Sequence, residues 1–170
     1  MKCTRRFRLD LLMADVTVEE KIQATPLALY CLVSDVTNMG RWSPETKGCR
    51  WLGGATGPAV GVRFKGANRD GWRRWSTKCK VVAADPGRRF AFDVKYRGIR
   101  MAHWAYEFES EGNGGCRITE SWTERRPRWM RRIDDLISGV PDRAAHNREG
   151  MTATLAQLRR VAEDAAKAES

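Results

Sequence analysis

The sequence predicts an α+β fold: an antiparallel sheet wraps around one long C-terminal helix, two short helices follow the first strand, and a ligand cavity lies between sheet and helix. Two patterns predict it. From Asp142 to Ala166, apolar or small residues recur at Ala144, Met151, Leu155, Leu158, Ala162 and Ala165, close to a 3.6-residue period, while Arg148, Glu149, Arg159 and Glu163 take the other face. Between Thr46 and Thr123 the pattern changes to a period of two, broken by turn residues. One amphipathic helix after a run of strands needs a sheet face to bury against.

In chain order, residues 1–14 differ from the rest. Lys2, Arg5, Arg6 and Arg8 precede Leu9, Leu11, Leu12 and Met13, with Asp10 between. The expectation is a disordered basic tail or a mis-assigned start, with translation beginning at Met13; a signal peptide would need a longer apolar core. Val16–Ala24 alternates as a half-buried strand. Thr25-Pro26 is a helix start, Thr25 capping and Pro26 in the first turn, for a short helix to about Ser34. Asp35 then caps a further turn or two through Met39.

Six strands follow: Thr46–Leu52, Val60–Asn68, Trp72–Ala84, Arg89–Tyr96, Arg100–Ser110 and Cys116–Trp122. Asp70-Gly71, Asp85-Pro86-Gly87, Arg97-Gly98 and Gly112–Gly115 turn the chain between them. Connections this short imply an antiparallel meander, with the apolar face on the core and the charged face in water. Pro127–Val140 carries Trp129, Ile133, Leu136 and Ile137 at helical spacing behind the Arg125–Arg132 basic cluster. That cluster reads as a flap over the cavity mouth, a membrane-surface helix or a phosphate contact. The folded domain is expected over 15–166, with 167–170 as a tail.

Composition excludes several classes. At 170 residues, 42% hydrophobic, the chain can bury one core without disulfides or metal. No run approaches the length of a membrane span. Five scattered cysteines without a Cys-x-x-Cys pair, and two histidines, predict reduced thiols in a cytoplasmic protein and no metal site. No cofactor motif occurs: the glycines sit in turns and open no phosphate-binding helix. The formal charge of +10 allows an anionic partner, yet no nucleic-acid-binding signature accompanies it.

Alternation brings a polar minority to the inward face. Phe64, Trp75, Phe92, Trp104, Tyr106 and Ile118 would wall a cavity with Met151 and Leu155 of the helix. Asn68, Thr77 and Glu120 would supply its polar contacts. These eleven residues are the expected ligand-binding set. A carboxyl placed there would be desolvated and its pKa raised, which suits a general acid or base. The alternative is a structural Glu120 near an open end, paired with an arginine. His103, out of phase with Trp104, should face water.

With these elements placed, the chain resembles the START-like helix-grip superfamily (SRPBCC proteins), in its polyketide cyclase/dehydrase and lipid-transport branch. The resemblance rests on the order of elements and on Trp42-Ser43-Pro44-Glu45, Gly61–Arg69, Phe90-Ala91-Phe92-Asp93-Val94, Trp104-Ala105-Tyr106-Glu107-Phe108 and Ile118-Thr119-Glu120-Ser121-Trp122. It implies a seven-stranded curved sheet, counting the Val16–Ala24 strand, and a cavity for a hydrophobic small molecule or lipid. Three functions fit: a carrier or sensor of such a molecule, a polyketide cyclase/dehydrase-type enzyme using Glu120, and a regulatory or toxin-like partner of the ribosome. The histidine, arginine and tyrosine arrangements that the resemblance implies for an aromatase-cyclase have no clear inward counterpart.

Overall fold

The computed structural model describes residues 13–130 and 142–168. The expectations for the first twelve residues and for most of the Pro127–Val140 segment lie outside them. Strand β1 is Val16–Ile22, helix α1 is Pro26–Ser34, and a 3-10 helix spans Val36–Arg41. Strands β2 (Thr46–Leu52), β3 (Arg63–Asp70), β4 (Arg73–Asp85), β5 (Arg89–Tyr96), β6 (Ile99–Ser110) and β7 (Cys116–Glu124) follow, and helix α2 is Arg143–Ala168. β3 begins three residues later than its sequence pattern suggests, because residues 53–62 belong to a loop.

Local chemistry accounts for the helix starts. The Thr25 hydroxyl accepts the Ala28 N–H at 3.2 Å, and Pro26, which has no N–H to satisfy, occupies the first position of α1. Asp35 accepts the N–H of Thr37 at 3.1 Å and so starts the 3-10 helix. Asp142 caps α2 through the Ala145 N–H at 2.9 Å. Gly40 is required by closeness: a Cβ there would stand 3.1 Å from the Thr46 carbonyl oxygen.

The seven strands form one antiparallel sheet in the order β1-β7-β6-β5-β4-β3-β2. The meander closes by pairing β1 with β7, so each chain-neighbour connection stays short while the first strand is brought back to the last. Bulges between Thr46 and Gly48 and between Val81 and Ala83 help to curve the sheet around α2. This is the helix-grip architecture.

Inward side chains line up in rows across the strands. Phe90, Tyr106, Glu120 and Val18 form one row. Val81, Phe92, Trp104, Trp122 and Val16 form the next, and Phe64, Cys79, Val94 and Ala102 the one beyond. Beyond these come Cys49, Gly66 and Thr77, then Thr46, Asn68 and Trp75. Leu155, Leu158 and Ala162 of α2 join Leu29, Tyr30 and Val33 of α1 in the main core, and Met151 packs with Val16, Ala102 and Trp122. Aromatic edges bind the core internally: the Phe64 and Phe92 rings lie 5.2 Å apart and nearly perpendicular.

The outer face differs from a uniformly charged, solvated surface. On β5–β7 it carries Ala91, Ala105, Thr119 and Ser121, all buried. These short side chains neighbour the longer Arg89 and Glu107, a cross-strand pair that is itself buried and approaches at 3.9 Å. His103 does point away from the core, but it pairs with Asp93 on the neighbouring strand, Nδ1 to Oδ1 at 2.8 Å.

Candidate functional site

A cavity of about 450 Å³ lies between the inner sheet face and α2. Phe64, Phe92, Val94, Trp104, Trp122 and Met151 supply its apolar walls. Nine of the eleven sequence-predicted residues line it: Phe64, Asn68, Trp75, Thr77, Phe92, Trp104, Tyr106, Glu120 and Met151. Ile118 and Leu155 do not. Both have the inward orientation the sequence implies, but they belong to the solid core, where α1 packs over the deep end of the sheet.

The polar groups of the cavity fall into two sets. At the deep end, Tyr106 Oη donates to Glu120 Oε1 at 2.7 Å. Glu120 is 2% exposed, and its Oε2 is buried without a hydrogen-bond partner. Burial pushes the Glu120 carboxyl up to about 8; the Tyr106 hydrogen bond offsets part of that rise. The Tyr106 phenol is held well above its ordinary range, first by burial and then by the neighbouring carboxyl. At neutral pH both groups are therefore predominantly protonated. The partner of Glu120 is thus a tyrosine, and the arginine pairing of the structural alternative is not what the structure forms.

Two apolar rows away lies a looser polar chain. Thr46 Oγ1 donates to Asn68 Oδ1 at 3.4 Å, Asn68 Nδ2 donates to Thr77 Oγ1 at 3.3 Å, and the Thr77 hydroxyl lies 3.9 Å from Cys79 Sγ. Gly66 keeps this end open, since a Cβ on it would stand 3.3 Å from Thr77 Oγ1 and 3.5 Å from Cys49 Sγ. Burial raises the Cys49 thiol to about 11 and the Cys79 thiol to about 12, so both are neutral cavity surface and not nucleophiles.

Charged residues stand at the mouth. His146 Nε2 of α2 meets Glu45 Oε1 at 3.0 Å, and the buried Arg126 holds the Glu124 carboxylate with Nε 2.9 Å from each oxygen. Among the described residues no group of three or more His, Cys, Asp or Glu side chains could hold a metal ion, and no helix is long and apolar enough to cross a membrane.

Thr46, Cys49, Cys79 and His146 line the cavity without having been singled out by sequence, and Arg126 of the basic cluster lines it too. Thr46 and Cys49 are three residues apart, so strict alternation would send them to opposite faces. The bulge between Thr46 and Gly48 shifts the phase and turns both inward. Cys79 was legible, lying in phase with Trp75 and Thr77. His146 comes to the mouth through the docking of α2, which no local pattern records.

The family model described as polyketide cyclase / dehydrase and lipid transport matches residues 13–163. No curated protein matches by sequence. Among solved structures, the chain is similar to the Polyketide_cyc-like protein Cgl2372 from Corynebacterium glutamicum: 33% identity, 86% of this chain and 91% of that one covered, TM-score 0.56. Protein NE0264 from Nitrosomonas europaea shares the fold at 13% identity, with 89% and 96% covered and a TM-score of 0.66. So does the di-domain ARO/CYC StfQ of the steffimycin biosynthetic pathway, at 9% identity, with 89% of this chain and 46% of that one covered and a TM-score of 0.63.

Proposed function

We propose, from the premise that this chain belongs to the polyketide cyclase/dehydrase and lipid transport family, that its cavity binds an uncharged hydrophobic small molecule or lipid, as a carrier or sensor. The observation that carries this is the composition of the cavity wall: aromatic rows with a buried, protonated carboxyl at the deep end. A volume of about 450 Å³ is that of a small-molecule site. With Oε1 occupied by Tyr106, Oε2 of protonated Glu120 is left as a hydrogen-bond donor without a partner in the wall. The matching ligand presents a carbonyl or other neutral acceptor there and buries an aromatic or aliphatic body against Phe92, Trp104 and Trp122. A ligand carboxylate is disfavoured at the deep end, since burial among the apolar walls would cost it its hydration.

The test is native mass spectrometry of protein from its own host, with titration by 1,8-dihydroxyanthraquinone followed through tryptophan emission. A retained lipophilic molecule, or saturable quenching that Trp104→Ala weakens, supports the reading. An empty protein that gives no saturable quenching and co-purifies with ribosomes overturns it.

The Tyr106–Glu120 pair also favours a second reading, a cyclase/dehydrase-type enzyme. A carboxyl titrating near 8 in a water-poor site is suited to proton transfer around neutral pH. Acting as acid, Glu120 would give its proton to a ketone oxygen while an enol carbon of the same substrate bonds to the carbonyl carbon, leaving a hydroxyl there; the enol O–H, now on a protonated ketone, releases its proton and the Glu120 carboxylate is reprotonated. Turnover of a poly-β-ketone substrate that is lost in Glu120→Gln, with the fold intact, supports this reading. Unchanged turnover removes Glu120 from it.

A further inference from the structure

We propose that the rim of the cavity is a docking surface for an anionic lipid bilayer. The antiparallel meander places the β3–β4 turn, the β5–β6 turn and the C-terminal end of β7 at one end of the sheet. The cavity opens at that same end, bordered by Arg73 and Trp75 of β4, Tyr96 of β5, Met101 of β6 and Arg126 beyond β7.

Each of the three segments carries cations, and two of them carry an exposed tryptophan. At the β3–β4 turn Trp72 is 85% exposed, with the Arg73 guanidinium 5.5 Å from its ring centroid; Arg69 and Arg74 beside it are also exposed. At the β5–β6 turn Arg97 lies over the Tyr96 ring at 5.8 Å, flanked by exposed Lys95 and Arg100. Beyond β7, Trp129 is 59% exposed between Arg128 and Met130, with Arg125 exposed nearby. The rim carboxylates Glu124 and Glu45 are engaged by Arg126 and His146. The opposite end of the sheet carries both signs: Glu109 and Glu111 with Arg117 and Lys21 against them, and Asp85 and Arg88 at the β4–β5 turn. Around the mouth exposed cations gather on all three segments: Arg69, Arg74, Lys95, Arg97, Arg100, Arg125 and Arg128.

Single exposed apolar residues are ordinary on protein surfaces. Two tryptophans on separate segments, both at the rim and both among arginines, form a coherent pattern. Indole rings settle at the headgroup level of a bilayer, and arginines are drawn to anionic headgroups. The same groups could stack and neutralise single-stranded nucleic acid. What favours the bilayer is that the patch encircles the opening of an apolar cavity. A hydrophobic ligand is concentrated in membrane, and a rim seated on it lets the ligand pass without crossing water. This last argument rests on the ligand-binding reading above.

The test uses the full chain with vesicles of phosphatidylcholine alone and of phosphatidylcholine with one quarter phosphatidylglycerol. Sedimentation with the anionic vesicles at 0.1 M salt, lost at 0.5 M salt and absent with the neutral ones, is expected. Brominated lipid should quench tryptophan emission in the wild type and much less in the Trp72→Ser/Trp129→Ser double variant. Arg74→Gln/Arg128→Gln should lower vesicle partitioning by about 25-fold, roughly fivefold per arginine. None of these four residues lines the cavity, so anthraquinone titration of both variants should be unchanged and confirms that they fold. Wild-type protein that takes up the anthraquinone but does not sediment overturns the docking and leaves the ligand reading standing. Sedimentation without anthraquinone uptake does the reverse. Binding to oligo(dT) that displaces the protein from vesicles overturns the bilayer in favour of nucleic acid.

Discussion

Replacing Glu120 by glutamine removes one ionisable group and keeps the shape of the site. Tyr106 can still donate to the amide oxygen, and the amide NH₂ presents a donor where the protonated Oε2 stood. In the folded protein the Glu120 carboxyl titrates at about 8, against 4.5 for the ordinary group. The sign follows directly. Below pH 4.5 the group is protonated in both folded and unfolded chains and costs nothing. As pH rises from 4.5 to 8, only the unfolded chain gains by ionising, so stability falls by about 1.4 kcal/mol per pH unit. By pH 7 the accumulated loss is roughly 3 kcal/mol, and above pH 8 the slope from this group vanishes. Glu120→Gln has no such loss. Urea unfolding of both proteins at pH 5, 6, 7 and 8, at fixed ionic strength, should show the variant gaining on the wild type at each step. NMR of the Glu120 side-chain carboxyl carbon should place its midpoint near 8. Parallel stability curves, or a midpoint near 4.5, would refute the argument: the carboxyl would then be hydrated and the deep end of the cavity wet.

Two further outcomes follow from the packing. Leu155 is 1% exposed in the main core, so Leu155→Ala should destabilise by about 2–5 kcal/mol in urea unfolding; a near-zero cost would mean α2 does not sit in the grip of the sheet. Gly150 lies inside α2 at the cavity edge, and a Cβ there would meet nothing within 4 Å. Gly150→Ala should therefore raise the urea midpoint at unchanged slope, by about 0.5–1 kcal/mol of stability; a loss of stability would show that the space is not open.

Elements and faces were legible because their causes are local. Period-two alternation put Phe64, Phe92, Tyr106 and Glu120 on one face, and the structure has them there. Thr25-Pro26 and Asp35 marked helix starts through chemistry confined to a few residues. What lies beyond local pattern is which inward residues meet the void. Ile118 and Glu120 are two apart on the same strand and share one face, yet Ile118 is core and Glu120 is cavity wall. The difference is made by α1, which comes from a remote part of the chain and fills the space over Phe90, Phe108 and Ile118. Leu155 and Met151 divide in the same way on one face of α2.

By itself, then, the sequence determined the order of strands and helices, the inward face of most strands and the presence of a carboxyl among aromatics. These depend on residue spacing and turn chemistry, which act within a few residues. Only the tertiary structure decided that β1 closes on β7, that a bulge in β2 turns both Thr46 and Cys49 inward, and that Tyr106 rather than an arginine holds Glu120. It also gathered Trp72, Trp129 and their neighbouring arginines around one opening. Those outcomes depend on which distant segments meet when the sheet curves, and curvature is a property of the packed sheet and not of any one strand.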